Sequence, residues 1–519
     1  MIPFDDSGAF HPLAEGRELK RLAVRGAAAT ISAAALGLGA QIVSTVILAR
    51  LLTPADFGVV AMVTTFSLLL MSFGTNGFEE AVIQRPDLSR FQASNLFWIN
   101  CGAGFVLMAG FAAAGSLLAH FYRNPLVTRV AIAVSPAIFL AATSVIHVAL
   151  LKRAMRFTAV STNDVLSRVA YTLVAILLAW RGWGYWALVA GIVAASLSTT
   201  IGALWLCRWI PTLPRRGVGT RAMLRFAANV YGGFTANYFT RNFDNLLVGW
   251  RFNAAALGFY KKAYDLFALS ATQLTAPLHN VALAALSRMQ HDPARFRRYL
   301  ANSLGMIAFL GMGVGADLTL VGRDLVRLVL GPKWSESGRI FEMFGPGIGI
   351  MLLYSTVCWT SFSIGKPGRW FRWTLVESAV TALLFVVALP WGPIGIAAAW
   401  SVSYWILVIP AFWYAGRPIG FGVSSLVGAI WRYVIAALVA GLSCSAIMRG
   451  MLTWAVASSA TEALEFIVAK SLLFVILYVG AIILLHQGCD PLFRVAALLR
   501  EILPGSGRVR PGAVPDGAS

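Results

Sequence analysis

Leu48-Ala-Arg50-Leu-Leu-Thr-Pro54-Ala-Asp56-Phe57-Gly58 closes one apolar run and opens the next. The runs on either side, near 27–48 and 57–76, are each about 20 residues long. That is the length an α-helix needs to cross the roughly 30 Å hydrocarbon layer of a bilayer. The pattern returns about 200 residues later as Gly249-Trp-Arg251-Phe-Asn-Ala-Ala-Ala-Leu257-Gly258-Phe259. Each copy ends a helix on an arginine, crosses a short turn of small residues and enters the next helix at a glycine. The two corners close the first and seventh spans of the chain. Six spans separate them, an even number, so both halves share one orientation. Repeats of that kind are related by an axis along the membrane normal.

Working outward from the corner gives fourteen spans. They lie near 27–48, 57–76, 94–118, 129–150, 165–180, 184–205, 224–249, 256–286, 299–321, 338–362, 371–391, 393–415, 424–448 and 464–486. The fifth is short and ends at Trp180-Arg-Gly-Trp-Gly184. The eleventh and twelfth meet at Pro390-Trp-Gly-Pro393. Both are tight turns with an interfacial tryptophan. Composition agrees: 58% of the 519 residues are hydrophobic, 12% are charged and the mean hydropathy is +0.73. A soluble chain carries about 25% charged residues. Too little polar surface remains to cover soluble domains, which excludes a soluble enzyme, a disordered chain and a disulfide scaffold. Cys101, Cys207, Cys358, Cys444 and Cys489 form no CxxC pair. Residues 1–25 are polar, and the first apolar run exceeds the h-region of a signal peptide, so it reads as a retained first helix. The expectation is an all-α polytopic membrane protein with about 14 transmembrane helices. Two pseudo-symmetric six-helix lobes, 27–206 and 224–416, are joined by a linker at 207–223. Two extra C-terminal helices follow within 417–487, flanked by an N-terminal segment 1–26 and a tail 488–519.

Lys and Arg total 42 against 22 Asp and Glu, a net charge of +20. Nucleic acid binding is the reading such a balance invites in a soluble chain. In a membrane protein it reflects the lysines and arginines that cytoplasmic loops collect. With the N-terminus inside, alternate segments hold 27 Lys and Arg on the inner side against 12 on the outer side. The bias predicts an even number of spans and both termini in the cytoplasm. The outer cluster Arg323, Arg327, Lys333 and Arg339 runs against it.

At these residues the chain resembles the polysaccharide transporters of the MOP flippase superfamily, the Wzx-type branch associated with exopolysaccharide and capsule export. The resemblance rests on Leu48 to Met62, Ala81-Val-Ile-Gln-Arg85, Asn242-Phe-Asp244-Asn-Leu-Leu-Val-Gly249, Ala256-Leu-Gly-Phe-Tyr-Lys-Lys-Ala-Tyr264 and Leu328-Val-Leu-Gly331-Pro-Lys-Trp334. Their order and spacing run from about residue 25 to 490. The resemblance implies two lobes around a central cavity in the bacterial inner membrane. It implies an activity that moves undecaprenyl-pyrophosphate-linked oligosaccharide from the cytoplasmic to the periplasmic leaflet for exopolysaccharide, capsule or O-antigen synthesis. The implied partners are that lipid-linked oligosaccharide, membrane lipids, a polysaccharide polymerase and glycosyltransferases, and no nucleic acid. A multidrug or metabolite antiporter of related two-lobe fold, and a membrane-embedded synthase or scaffold, are the alternatives.

No catalytic constellation is legible. There is no GxxxxGK[ST] phosphate loop, since Gly365-Lys366 is followed by Pro367 and position 360 is Thr. The six histidines show no HExxH spacing. No cofactor is expected, and coupling to a proton or sodium gradient stays open. What remains is charge within the spans, where an ionised residue costs at least roughly 2.5–3.5 kcal/mol and therefore faces a cavity or a partner. Arg241 and Asp244 lie three apart on span seven. One reading places Arg241 in a water-filled cavity to take pyrophosphate through its planar fork, with Asp244 holding it. The other is a mutual pair that lets both sit in the bundle. Arg50 and Arg251 occupy matching places in the repeat, as gate residues or as snorkelling cations. Arg168, at the start of span five, meets the substrate from the cytoplasm or belongs to the positive-inside bias. Glu79 and Glu80 read as a solvated helix end or, as the lesser alternative, as closing the inner mouth. Arg432 and Lys470 read as snorkelling or as a structural pair. Of the adjacent Lys261 and Lys262, one can face any given direction. Gly345-Pro346-Gly347 in span ten is a candidate hinge or a static kink.

Overall fold

The computed structural model describes residues 3–5, 8–10, 16–85, 87–451, 460–489 and 492–493. Among these residues there is no β-strand, only two isolated bridges, Phe4 with Phe10 and Ala9 with Ser89. Fourteen long helical stretches follow one another: α1 Gly16–Leu51, α2 Pro54–Met71, α3 Arg90–Ala113, α4 Leu126–Arg153, α5 Phe157–Trp180, α6 Tyr185–Cys207, α7 Thr220–Arg251, α8 Ala254–Arg288, α9 Pro293–Leu330, α10 Ser335–Ser355, α11 Pro367–Ala388, α12 Gly392–Gly416, α13 Val423–Met451 and α14 Ala460–His486. Eleven stretches of the described residues are long and apolar enough to cross a membrane. One of them, Gly368–Ile419, holds both α11 and α12. The other two spans are α7 and α8, and α7 is the polar helix of the set, with Asn237, Thr240, Arg241, Asn242, Asp244 and Asn245 in its second half. The protein is an all-α, multi-pass membrane protein.

One expectation about a span limit is corrected. Helix α5 starts at Phe157, about two turns before the apolar window near 165. Its first turns carry Ser161 and Asn163, only 8% and 3% exposed. Asn163 Nδ2 donates to Thr199 O on α6 at 3.1 Å. Polar groups satisfied inside the bundle do not register as apolar sequence. Arg168 is therefore well inside the helix, not at its start. The N-terminal segment folds back: Phe4 is 5% exposed against Phe10 and Trp209, and Arg90 N donates to Gly8 O at 2.8 Å. The tail lies largely outside the described residues.

The chain divides into two compact units, Met1–Leu266 with Leu325–Phe341 and Val376–Ala399, and Phe267–Asp324 with Glu342–Leu375 and Trp400–Ser519. In the first, the two repeated corners pack on each other. Thr53 caps α2, its Oγ1 accepting from Asp56 N while Asp56 Oδ2 accepts from Thr53 N. Asn253 does the same for α8, its Oδ1 accepting from Ala256 N at 2.8 Å. One turn on, a Cβ at Gly58 would stand 1.6 Å from Ala254 O, and a Cβ at Gly258 would stand 1.8 Å from Pro54 O. The contact is reciprocal: the first residue of each helix meets the glycine of the other. A self-complementary contact of this kind is the signature of two-fold symmetry, here within one chain. The starts of α2 and α8 thus lie together.

In the second unit, α10 runs between α9 and α12. A Cβ at Gly345 would meet Thr319 Oγ1 at 2.2 Å, one at Gly347 Ser401 Oγ at 2.6 Å, and one at Gly349 the Gly311 carbonyl at 2.8 Å. These glycines allow close helix contact. Pro346 removes a helical N–H and sits in an otherwise continuous helix. Ser401 Oγ donates to Met343 O, and Trp405 Nε1 donates to Pro346 O at 3.0 Å.

Candidate functional site

Three of the motifs quoted above meet at the corner. Arg50 Nη2 donates to Leu328 O at 3.0 Å in the last turn of α9. In return Lys333 Nζ donates to Arg50 O and Leu52 O at 2.8 and 3.1 Å, and the buried Trp334 donates Nε1 to Ala49 O at 2.8 Å. The last carbonyls of a helix have no partner within it, so each helix end here is capped by side chains of the other segment. The Trp334 ring packs edge-on against Phe57 and Phe259, and Ser337 Oγ donates to Phe259 O. Arg50 is thus engaged with a helix end.

Beside this corner lies a cavity of about 380 Å³ lined by α1 (Gly37, Gln41, Ser44, Thr45, Leu48), α2 (Phe57), α5 (Ser167, Arg168, Tyr171, Thr172), α6 (Ala195) and α8 (Lys262, Asp265). Leu48 and Phe57 belong to both corner and cavity. Arg168 lies across Gly37, where a Cβ would come within 3.2 Å of its Cδ. Lys262 sits over the Phe57 ring, 4.1 Å from its centroid. Lys261, its neighbour on α8, pairs with Asp265. Two cations and one carboxylate, with five hydroxyls and an amide from Ser44, Thr45, Ser167, Tyr171, Thr172 and Gln41, line one space.

Arg241 and Asp244 stand on α7 in the same unit. Asp244 is fully buried, and its Oδ2 accepts from Tyr260 OH on α8 at 2.7 Å, while Oδ1 accepts from Asn245 N at 2.7 Å. Arg241 is exposed and donates Nε to Asn237 Oδ1 at 3.2 Å. Tyr264 stands near enough to Asp244, Arg241 and Asp265 to feel the charge of each, which links α7 to the cavity wall. Helix α7 is tied to α2 by Tyr231 OH donating to Leu69 O at 3.0 Å and Tyr238 OH to Thr65 O at 2.8 Å.

Glu79 and Glu80 are not a solvated helix end. Glu79 is 8% exposed and pairs with Lys152 at the end of α4, and Glu80 accepts from Gly77 N at 2.6 Å. They close a kink after α2, where a five-residue π turn, Thr75–Glu79, breaks the helix. Lys470 forms a structural pair, 3.6 Å from Asp324. The second unit holds a different space of about 300 Å³, lined largely by apolar groups including Met312, Leu320, Pro346, Ala437, Leu438 and Leu442. Among the described residues no group of three or more His, Cys, Asp or Glu is placed to hold a metal ion.

A family model described as polysaccharide biosynthesis protein matches residues 47–339. The chain belongs to that family. The match begins at the first corner and ends just past Trp334, so it covers both copies of the repeat and the cavity residues from Leu48 onward, while Gly37, Gln41, Ser44 and Thr45 precede it. The chain is 22% identical over 343 residues to the succinoglycan biosynthesis transport protein ExoT of Rhizobium meliloti, covering 66% of this chain and 69% of the relative. It is 22% identical over 334 residues to the lipopolysaccharide biosynthesis protein WzxC of Escherichia coli, covering 63% and 66%. Among solved structures it shares the fold of the lipid II flippase MurJ in an inward closed conformation, with TM-score 0.69 at 14% identity, covering 89% of this chain and 99% of that one. It also shares the fold of an inward-facing MATE transporter of the MOP superfamily, with TM-score 0.61 at 12% identity over 75% and 95%. The MOP fold expected from the resemblance is the fold of this chain.

Proposed function

We propose that the protein flips an undecaprenyl-pyrophosphate-linked oligosaccharide from the cytoplasmic to the periplasmic leaflet of a bacterial inner membrane, for exopolysaccharide, capsule or O-antigen synthesis. The observation that carries this reading is the cavity bounded by Arg168 and Lys262 within a membrane-spanning member of this family. A pyrophosphate crossing hydrocarbon needs compensating charge, because an isolated anion in a low-dielectric medium costs far more than any single contact returns. Arg168 presents a planar fork to phosphate oxygens and Lys262 a point charge. The hydroxyls and the Gln41 amide suit the first sugar. The apolar space in the second unit suits hydrocarbon. An antiporter for cationic drugs is the weaker reading, since the cavity holds more positive than negative charge. The lysine and arginine bias supports both termini in the cytoplasm.

The test is deletion of the gene, with assay for lipid-linked oligosaccharide held in the inner leaflet. Accumulation that the wild-type gene clears, and that an Arg168→Ala, Lys262→Met variant of normal membrane abundance leaves, is the expected result. No accumulation in the deletion strain would sink the reading.

A further inference from the structure

We propose that Asp265 is a movable counter-anion of the Arg168–Lys262 cavity: paired with Lys261 it leaves Lys262 open to a diphosphate, and on release it crosses to Lys262 and takes the diphosphate's place. The inference rests on the reading of that cavity as the substrate's site. It gives a role to the one carboxylate among the described residues that line the space. The arrangement starts in the sequence. Asp265 stands four residues after Lys261 and three after Lys262 on α8. Both spacings bring a carboxylate within reach of a lysine on a helix surface. Asp265 therefore has two cations to choose between, and a change of side-chain rotamer separates the choices. In the structure it pairs with Lys261, which is not a lining residue, while Lys262 and Asp265 both line the cavity. The Asp265 side chain is 42% exposed, which leaves it room to turn.

Lys262 keeps its charge available in this state. Its ammonium lies 4.1 Å from the centre of the Phe57 ring, and an aromatic face steadies a cation without neutralising it. Arg168 lines the same space, so one anion can meet both cations. Such a site has two difficulties within a membrane. Empty, it leaves charge without a partner, which is costly in hydrocarbon. Occupied, it releases its anion slowly. Asp265 relieves both, because crossing to Lys262 neutralises the empty site and competes with the departing diphosphate. Lys261 is not stranded when Asp265 leaves: its ammonium stands 5.5 Å from the centre of the Tyr264 ring and its side chain is 31% exposed. Lys261 is in this sense a positioning residue, acting on the diphosphate through Asp265. A fixed carboxylate would behave differently. Lys261 and Asp265 would then influence a bound anion independently, whereas with a movable one Lys261 matters chiefly while Asp265 is present.

The experiment is a double-mutant cycle on anion affinity. Binding of inorganic pyrophosphate to the full chain in lipid nanodiscs, in magnesium-free buffer, is followed by isothermal titration calorimetry. Asp265→Asn is expected to tighten binding and Lys261→Met to weaken it, each by about five- to tenfold, within the range of coupling between neighbouring groups. Lys261→Arg keeps the pair and is expected to bind as the wild type does. Added to Asp265→Asn, Lys261→Met is expected to change affinity by less than about twofold, the scatter of independent sites. Equal weakening by Lys261→Met in both backgrounds overturns the proposal and leaves Asp265 a fixed charge. Wild-type affinity in Asp265→Asn overturns it as well, as does a wild-type protein that binds no pyrophosphate. If Asp265→Asn fails to accumulate, Lys261→Met is compared with Lys261→Arg, and equal affinities overturn the proposal. The deletion assay remains a separate test: trapped lipid-linked oligosaccharide without coupling between Lys261 and Asp265 keeps the flippase reading and rejects the movable anion.

Discussion

The two cavities of the protein are of similar size and opposite chemistry. The one in the first unit, about 380 Å³, is walled by Arg168, Lys262, Asp265 and a ring of hydroxyls. The one in the second, about 300 Å³, is walled mainly by aliphatic side chains and glycines, with Trp405 at its edge. Both are built from the same materials: apolar helices brought close by glycine. What differs is the helices chosen. Helices α5 and α8 bring charged residues to the first space, while α9, α10, α12 and α13 bring almost none to the second. A protein that only needed to seal its interior would have no use for the cations of the first. If a charged headgroup and a hydrocarbon chain are the two ends of one substrate, removing charge from the first cavity and volume from the second should harm transport in different ways.

The largest effect is expected from the cations. A hydrogen bond to a charged group contributes about 1.5–3 kcal/mol, so Arg168→Ala should lower transport roughly 10–150-fold at normal membrane abundance. Arg168→Lys should recover part of it, because the charge returns without the fork. Export in a complemented deletion strain, with abundance checked by immunoblot, measures both. Full activity of Arg168→Ala would remove the first cavity from the route and dissolve the contrast.

Much of this architecture is legible in the sequence, and the remainder is hidden for identifiable reasons. The helices follow from apolar runs of sufficient length, and the corner Leu48 to Gly58 with its partner Gly249 to Phe259 announces the repeat. Why glycine stands at 58 and 258 is not legible, because the reason is a contact between segments 200 residues apart. Arg168 stands out in the sequence, yet as a helix-end residue. Its place inside α5 depends on Ser161 and Asn163 being turned inward, which hydropathy cannot register. Lys262 and Asp265 carry no assignment from sequence because the side of α8 that meets the cavity is marked by the contact of Lys262 with Phe57, about 200 residues away, and not by local pattern. Glu79 looks solvated because its partner, Lys152, is more than 70 residues away. Adjacency between helices is where sequence periodicity runs out.

A smaller effect is expected at Arg241. The residue is exposed and its Nε is engaged by Asn237, so it gives a passing anion less than Arg168 does. Arg241→Ala should cost transport about tenfold, near the low end for a charge-assisted bond. Wild-type export by that variant would confine the anionic surface to the cavity. Asp244→Asn is read alongside it. If Asp244 mainly fixes α7 to α8 through Tyr260, then Tyr260→Phe should reproduce its effect, and the double variant should add little.

Smaller again is the response of the apolar space. Gly441 lines it, and a methyl group added there would meet nothing within 4 Å, so the side chain of Gly441→Leu starts from open space and takes up volume in the groove. Each methylene of a bound chain that it displaces is worth about 0.8 kcal/mol, roughly fourfold in affinity. Transport should fall severalfold at low substrate and recover as substrate rises, whereas loss of Arg168 should not be rescued in that way. Identical substrate dependence for the two variants would mean the cavities do not divide the substrate between them.

The smallest effect concerns Trp405, which borders the apolar space and donates Nε1 to Pro346 O at 3.0 Å. Pro346 deprives α10 of one helical donor, and the segment around it is braced from α12 by Ser401 and Trp405. A neutral hydrogen bond of this kind contributes about 0.5–1.5 kcal/mol net. Trp405→Phe keeps an aromatic ring in place and removes the donor. If Gly345-Pro346-Gly347 is a static kink, the variant should lower the thermal midpoint of the detergent-solubilised protein by a few degrees at most and leave export unchanged. If the segment bends during the cycle, the brace has to break and re-form in each turnover. Its loss then shifts the balance between bent and straight states, and export changes even where stability barely does. The close packing of Gly345 on Thr319 and of Gly347 on Ser401 favours the static outcome, because bending there would have to separate three helices together. Export altered more than about fifteenfold by Trp405→Phe, at unchanged abundance, would exceed what loss of a static brace of about 0.5–1.5 kcal/mol can explain and would return the segment to the role of hinge.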